Sequence, residues 1–234
     1  PFLGGSSDED ALNQLEARIE SYELAFRMQS VAPDIMDLQK ESQATRDLYG
    51  IGGDHTDEFG RTLLLARRFA ESGVRFVTAT HSTSRYGNLW DQHAGLEKGH
   101  RGNAQAVDQP IAALLHDLEA RGLLEDTLVI WGGEFGRTIY SQGALTETNH
   151  GRDHHPRCFT TWMAGAGIKE GYEHGETDDF SYNIVNNPVH IRDFHATVMQ
   201  LLGYDHEQLS YKYQGLNQRL TGVLPAQVIK ELVL

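Results

Sequence analysis

The chain has 234 residues, 39% hydrophobic and 23% charged, with twenty-four Gly and three Trp, a composition that suits a globular protein with a substantial core. Its formal charge of −13, with Arg67-Arg68 as the sole adjacent basic pair, argues against a nucleic-acid binder. No apolar run approaches the ~18 residues of a membrane-spanning helix.

In chain order, residues 8–30 set Leu12, Leu15, Ile19, Tyr22 and Phe26 at helical spacing, with Ser7 or Asp8 as cap and Pro33 beyond the end. Residues 34–49 read as one or two short helices closed by Gly50, Gly52 and Gly53. Residues 1–53 are thus expected to form a helical arm or cover, packed on something not wholly inside this chain. A helix follows over Thr56–Glu71 with Phe59, Leu63, Ala66 and Ala70 on one face, then a strand over Val74–Thr80 ending at His81. Residues 103–121 hold Val107, Ile111, Leu114, Leu115 and Leu118 at a helical period, and Gly122 stops them. The apolar run Thr127–Trp131 predicts a strand buried on both faces of a parallel sheet. Phe159–Ala164 is a third strand, and His190–Leu202 a last helix with Ile191, Phe194, Val198, Leu201 and Leu202 inside. This alternation predicts an α/β sandwich with its ligands at the carboxyl ends of the strands, which selects His81, Glu134 and the loops after them.

Twelve His in an acidic chain make a metal centre the first chemistry to test. In Trp90-Asp91-Gln92-His93, an Asp and a His two apart can face one cation. In Gly132-Gly133-Glu134-Phe135-Gly136-Arg137-Thr138, three glycines let the backbone turn sharply around one carboxylate. Arg137 there either pairs with Glu134 or holds an anionic substrate oxygen. The most specific string is His150-Gly151-Arg152-Asp153-His154-His155-Pro156, three His and one Asp within six residues. Mixed nitrogen and oxygen donors of this kind suit zinc, manganese or iron. By contrast, Asp193 reads as a helix cap, and His190 and His195 as packing at the domain edge. The lone Cys158 excludes an intrachain disulfide and reads as a buried small residue rather than a ligand. Gly-x-Ser-x-Gly, His-Glu-x-x-His and a P-loop are all absent from the sequence.

These clusters, with LEARIESYELAFRMQ, DQPIAALLHDLEARGLLEDTLVIWGGEFGRT, GRDHHPRCFTTWMAGAGIKEG and NPVHIRDFHATVMQLLGYDHEQL, resemble the bacterial "domain of unknown function 1501" family over nearly the whole chain. The resemblance implies membership of the alkaline phosphatase/sulfatase-like superfamily. It therefore implies an α/β sandwich with a mostly parallel central sheet flanked by helices, of which residues 54–234 would be the C-terminal part, the N-terminal strands missing. It also implies metal ligation by Asp91, His93, Glu134 and either His154 or His155. The Asp-to-His spacing is one residue where the superfamily has three, and Phe135 stands where a second His is expected. Arg137 or Arg152 would stabilise charge on the transferring group, and the helix from Asp193 would be structural.

The expected function is a metal-dependent hydrolase of phosphate or sulfate esters, its nucleophile outside this chain. The alternative is a non-catalytic, metal-stabilised binding or scaffold protein. Zinc is the first choice of divalent metal, with manganese, calcium or iron behind it. The expected substrate is a small-molecule or polysaccharide ester, with no nucleic acid and no membrane span. A first residue of Pro suggests a processed or truncated chain, and relatives with a twin-arginine export signal imply a periplasmic or secreted protein.

Overall fold

The computed structural model describes residues 8–81, 90–143 and 145–234. Helix α1 runs from Asp8 to Met36, continuing through Pro33 rather than ending before it. Its apolar positions Leu12, Leu15, Ile19, Tyr22 and Phe26 all lie exposed. A 3-10 turn at Leu38–Lys40 and helix α2, Gln43–Leu48, lead to the helical core of the chain. Ser42 caps α2 by accepting from the Thr45 amide at 3.0 Å, satisfying a donor that a helix start leaves over.

The core is the packing of α3, Asp57–Glu71, on α4, Leu96–Ala120. Phe59, Leu63 and Leu64 of α3 meet Val107 and Ala113 of α4, and Tyr49 closes the cluster. Helix α4 starts seven residues before the sequence pattern suggests, because Gly99, Gly102 and Asn103 occupy buried positions that apolar periodicity does not register. Gln109 ties this pair to α2 by donating to the carbonyls of Asp47 and Leu48.

A buried ion network lies across the same helices. Arg67, 1% exposed, sits 2.7 Å from Glu41 and 2.9 Å from Asp117, and also pairs with Glu71. Arg121 reaches Asp117 at 2.7 Å, Arg68 pairs with Glu41, and the Tyr49 hydroxyl donates to Asp117 at 3.1 Å. Burial pushes the Glu41 carboxyl up, but hydrogen bonds and charge from Arg67 and Arg68 outweigh it and hold Glu41 below its ordinary value of 4.5. A depressed folded-state pKa means that the stabilisation is complete above 4.5 and is lost as pH falls through the folded value. Urea midpoints of the wild type should therefore drop in acid more steeply than those of Glu41→Gln. Parallel pH profiles would contradict this.

The sheet expectation is overturned. The described residues form eight short strands in four separate two-stranded pairs, all antiparallel. Strand β1, Val129–Trp131, pairs with β4, Trp162–Ala164; β2, Gly136–Arg137, pairs with β3, His154–His155. Strand β5, Glu176–Thr177, pairs with β6, Ile184–Asn186, and helix α5 follows over Ile191–Leu201. Strands β7, Ser210–Tyr213, and β8, Leu216–Arg219, form a hairpin turned by Gln214 and Gly215, both at positive φ.

The reason is topological. Parallel neighbours need a crossover of a dozen or more residues, usually a helix. Helix–strand alternation stops at Trp131, and five further strands pass before the next helix. Hence β1 is not buried on both faces: Ile130 is 42% and Trp131 39% exposed. Residues 74–80, expected as a strand, pair with no strand among the described residues, and Phe76 is exposed. The cap of α5 also differs, since His190 accepts from the Arg192 amide while Asp193 accepts from that of Gln227. Ile191, which opens that helix, and Leu202, just past its end, lie exposed, and Ala196, Thr197 and Met199 are its buried residues.

Candidate metal centre

Two loops and one strand pair build the site. The loop carrying Asp91 and His93 precedes α4, whose N-terminus is set by Gly95 in a left-handed conformation. The loop through residues 149–153 lies against it: Leu96 donates to the His150 carbonyl at 3.0 Å and Arg152 to the Gln92 carbonyl at 2.9 Å. Gly151 permits this approach, since a Cβ there would fall 2.0 Å from the His93 carbonyl carbon. Gly151→Ala is thus expected to push the loops apart and weaken metal binding roughly tenfold or more, with helical content unchanged. Zinc titration against a chromophoric competitor checks this, and unaltered affinity would rule out the loop contact as a determinant.

Strand pairing does the rest. In the β2–β3 register Arg137 is opposite His154 and Gly136 opposite His155. Directly opposed residues share a face and successive residues alternate, so Arg137 and His154 lie on one side and His155 on the other. Gly136 is needed at the crossing, for a Cβ would lie 1.8 Å from the Cys158 carbonyl oxygen.

On the first side, Asp91, His93 and His154 bring one ligand atom each within 4.8 Å of one another. His93 Nε2 is 2.9 Å and His154 Nε2 3.3 Å from Asp91 Oδ1. The latter matches the roughly 3.3 Å between donors that share a tetrahedral zinc. Glu134 stands behind this triad: its Oε1 is 2.7 Å from His154 Nδ1, the ring nitrogen turned away from Asp91. Phe135 packs edge-on against the His154 ring at 5.5 Å. Arg137 spans both carboxylates, at 2.7 Å from Asp91 and 3.0 Å from Glu134. Its guanidinium, with smaller contributions from His93 and His154, holds the Asp91 carboxyl below the usual aspartate value. Asp91 is therefore anionic, as a metal ligand must be.

The other sequence-derived residues separate. His155 is buried, stacked on Tyr182 at 4.3 Å, with Nε2 2.6 Å from the Tyr182 carbonyl. Arg152 donates to the Ile139 carbonyl and, with Arg137, His100 and His150, lines a cleft of about 520 Å³ beside the triad. His81 accepts from the Trp90 indole and packs on Phe59. Cys158 is buried, where desolvation pushes its thiol up. His100 lies on the early turn of α4, where no apolar period signals a helix; the spacing Leu96, His100, Asn103, Val107 is the available clue in the sequence.

Residues 5–233 match the family model described as "Protein of unknown function (DUF1501)". The chain belongs to the DUF1501 family. No curated protein and no solved structure matches this DUF1501 chain. Among its described residues, no helix is long and apolar enough to cross a membrane.

Proposed function

We propose that this DUF1501 protein is a metal-dependent hydrolase of phosphate or sulfate esters that works on an exported substrate, in the periplasm or outside the cell. The observation that carries the reading is the triad of Asp91, His93 and His154 beside a cleft lined by Arg137 and Arg152. Three protein ligands leave a coordination position open, as catalytic sites do. Two imidazoles with one carboxylate suit zinc, manganese or iron, and match calcium poorly because calcium prefers oxygen ligands.

A divalent cation held there would supply Lewis-acid polarisation of an ester oxygen. Asp91, His93 and His154 would hold it, and Glu134, its carboxylate 2.7 Å from His154 Nδ1, would favour the ring form that leaves Nε2 for the cation. Arg137 and Arg152 would meet the equatorial oxygens of the phosphoryl or sulfuryl group, where charge grows in the transition state. The order of the metal-ligand motifs supports kinship with the alkaline phosphatase/sulfatase-like superfamily, while the sheet contributes nothing to it.

Hydrolysis of p-nitrophenyl phosphate and p-nitrophenyl sulfate by the zinc-loaded and manganese-loaded full-length protein tests the reading. Turnover that disappears with His154→Ala supports it. Absence of turnover with metal bound would sink it and favour a scaffold. That second reading has one observation in its favour: Arg137 already bridges Asp91 and Glu134, offsetting one of their two charges without a metal ion.

A further inference from the structure

All three tryptophans of the chain, Trp90, Trp131 and Trp162, line a single groove of about 760 Å³. Trp131 and Trp162 are cross-strand partners in the β1–β4 pair, their rings nearly coplanar in orientation (6°) with centroids 6.3 Å apart. The Trp90 ring is fixed by its indole bond to His81 and by His100 packed against it at 5.7 Å.

The α4 side of the groove is a mixed face, on which Ala104, Val107 and Ile111 alternate with a polar row. Glu97, Arg101, Gln105 and Asp108 follow one another along α4 at intervals of three and four, and each lies exposed. Arg101 pairs with Glu97 at 2.9 Å. Covering such a wall with apolar protein would desolvate three charged groups without new partners for them, which is costly. An occupant that fits both walls must present a flat apolar face to tryptophan and hydroxyl groups to carboxylate, amide and guanidinium.

We infer that this groove binds carbohydrate, sugar rings stacking on Trp131 and Trp162 while their hydroxyls bond to Gln105, Asp108 and Arg101. Glu97 and His100 line both this groove and the cleft beside the metal triad, so a bound chain leads to Arg137 and Arg152. The inference deepens the ester-hydrolase reading, and rests on it, by making the substrate a phosphorylated or sulfated saccharide.

Since every tryptophan lines the groove, intrinsic fluorescence reports on it directly. The zinc-loaded protein is titrated with glucose, mannose and galactose tetrasaccharides and with a sulfated galactan tetrasaccharide, and affinities are repeated by calorimetry. At least one saccharide is expected to bind, about tenfold more weakly in Trp131→Ala, with stoichiometric zinc retained. Should that variant fail to fold, Gln105→Ala and Asp108→Ala alter the exposed wall and are expected to weaken the same saccharide. No fluorescence or heat change with any saccharide overturns the proposal, as does binding unchanged in every variant. Uptake of anilinonaphthalene sulfonate that no saccharide displaces would mark an uncovered protein face, and also overturns it. Saccharide binding without ester hydrolysis would retain the groove and remove the enzyme, so the two failures are distinguishable.

Discussion

Replacing Arg67 with methionine is expected to lower the free energy of unfolding by about 3–5 kcal/mol, the cost of breaking a buried ion pair from one side. Arg67 is 1% exposed, and the side chains of Glu41 and Asp117 are each 9% exposed. Methionine fills much of the same volume, so the penalty comes from the charges left behind rather than from a cavity. Arg68 still reaches Glu41, and Arg121 still reaches Asp117. That residual pairing keeps the cost within the range for one pair instead of doubling it. The measurement is urea unfolding, where the midpoint should fall with the slope unchanged. Adding Glu41→Gln and Asp117→Asn to Arg67→Met should recover part of the loss, since the stranded charges go with them. A single variant within about 0.5 kcal/mol of wild type, the scale of an ordinary surface substitution, would contradict the network.

The second large effect concerns the metal centre. Glu134→Gln is expected to weaken metal binding about 10–100-fold, the usual consequence of losing a carboxylate behind a ligating imidazole. Glu134 Oε1 is 2.7 Å from His154 Nδ1, so its negative charge favours the proton on that nitrogen and leaves Nε2 for the cation. Glutamine keeps the size and a hydrogen-bonding oxygen but removes the charge. Because Glu134 is half exposed, its ion pair with Arg137 contributes only about 0–1 kcal/mol to folding. Affinity and stability should therefore separate: a large loss in zinc titration beside a small change in urea midpoint. Equal zinc affinity in the two proteins would mean that the imidazole is not oriented by Glu134.

The helices were legible because their information is local. Phe59 and Leu63, or Val107 and Leu118, stand at periods that specify a face whatever surrounds them. The sheet was not, because strand direction is decided by connections rather than by runs such as Thr127–Trp131. A buried parallel strand and a short antiparallel partner look alike until the absence of a helix among the described residues between 132 and 190 is weighed. For the site, Asp91, His93 and His154 could be named from their strings, but their assembly depends on Gly151 and on the β2–β3 register. That register parts the adjacent His154 and His155, which no spacing argument distinguishes. Glu134, two residues before β2, comes within 2.7 Å of His154 Nδ1, a proximity that its string alone does not announce. The network around Arg67 was legible only in its local pairs, Arg67–Glu71 and Asp117–Arg121 at four-residue spacing on their helices, while the links from Arg67 to Glu41 and Asp117 join distant parts of the chain.

Elemental analysis of the purified protein, dialysed against zinc and then against metal-free buffer, tests the central claim most directly. The geometry predicts one zinc per chain in the wild type, and none in Asp91→Ala or His154→Ala with circular dichroism unchanged. Zinc retained in both folded variants, or no zinc in the folded wild type, would contradict a metal centre at Asp91, His93 and His154.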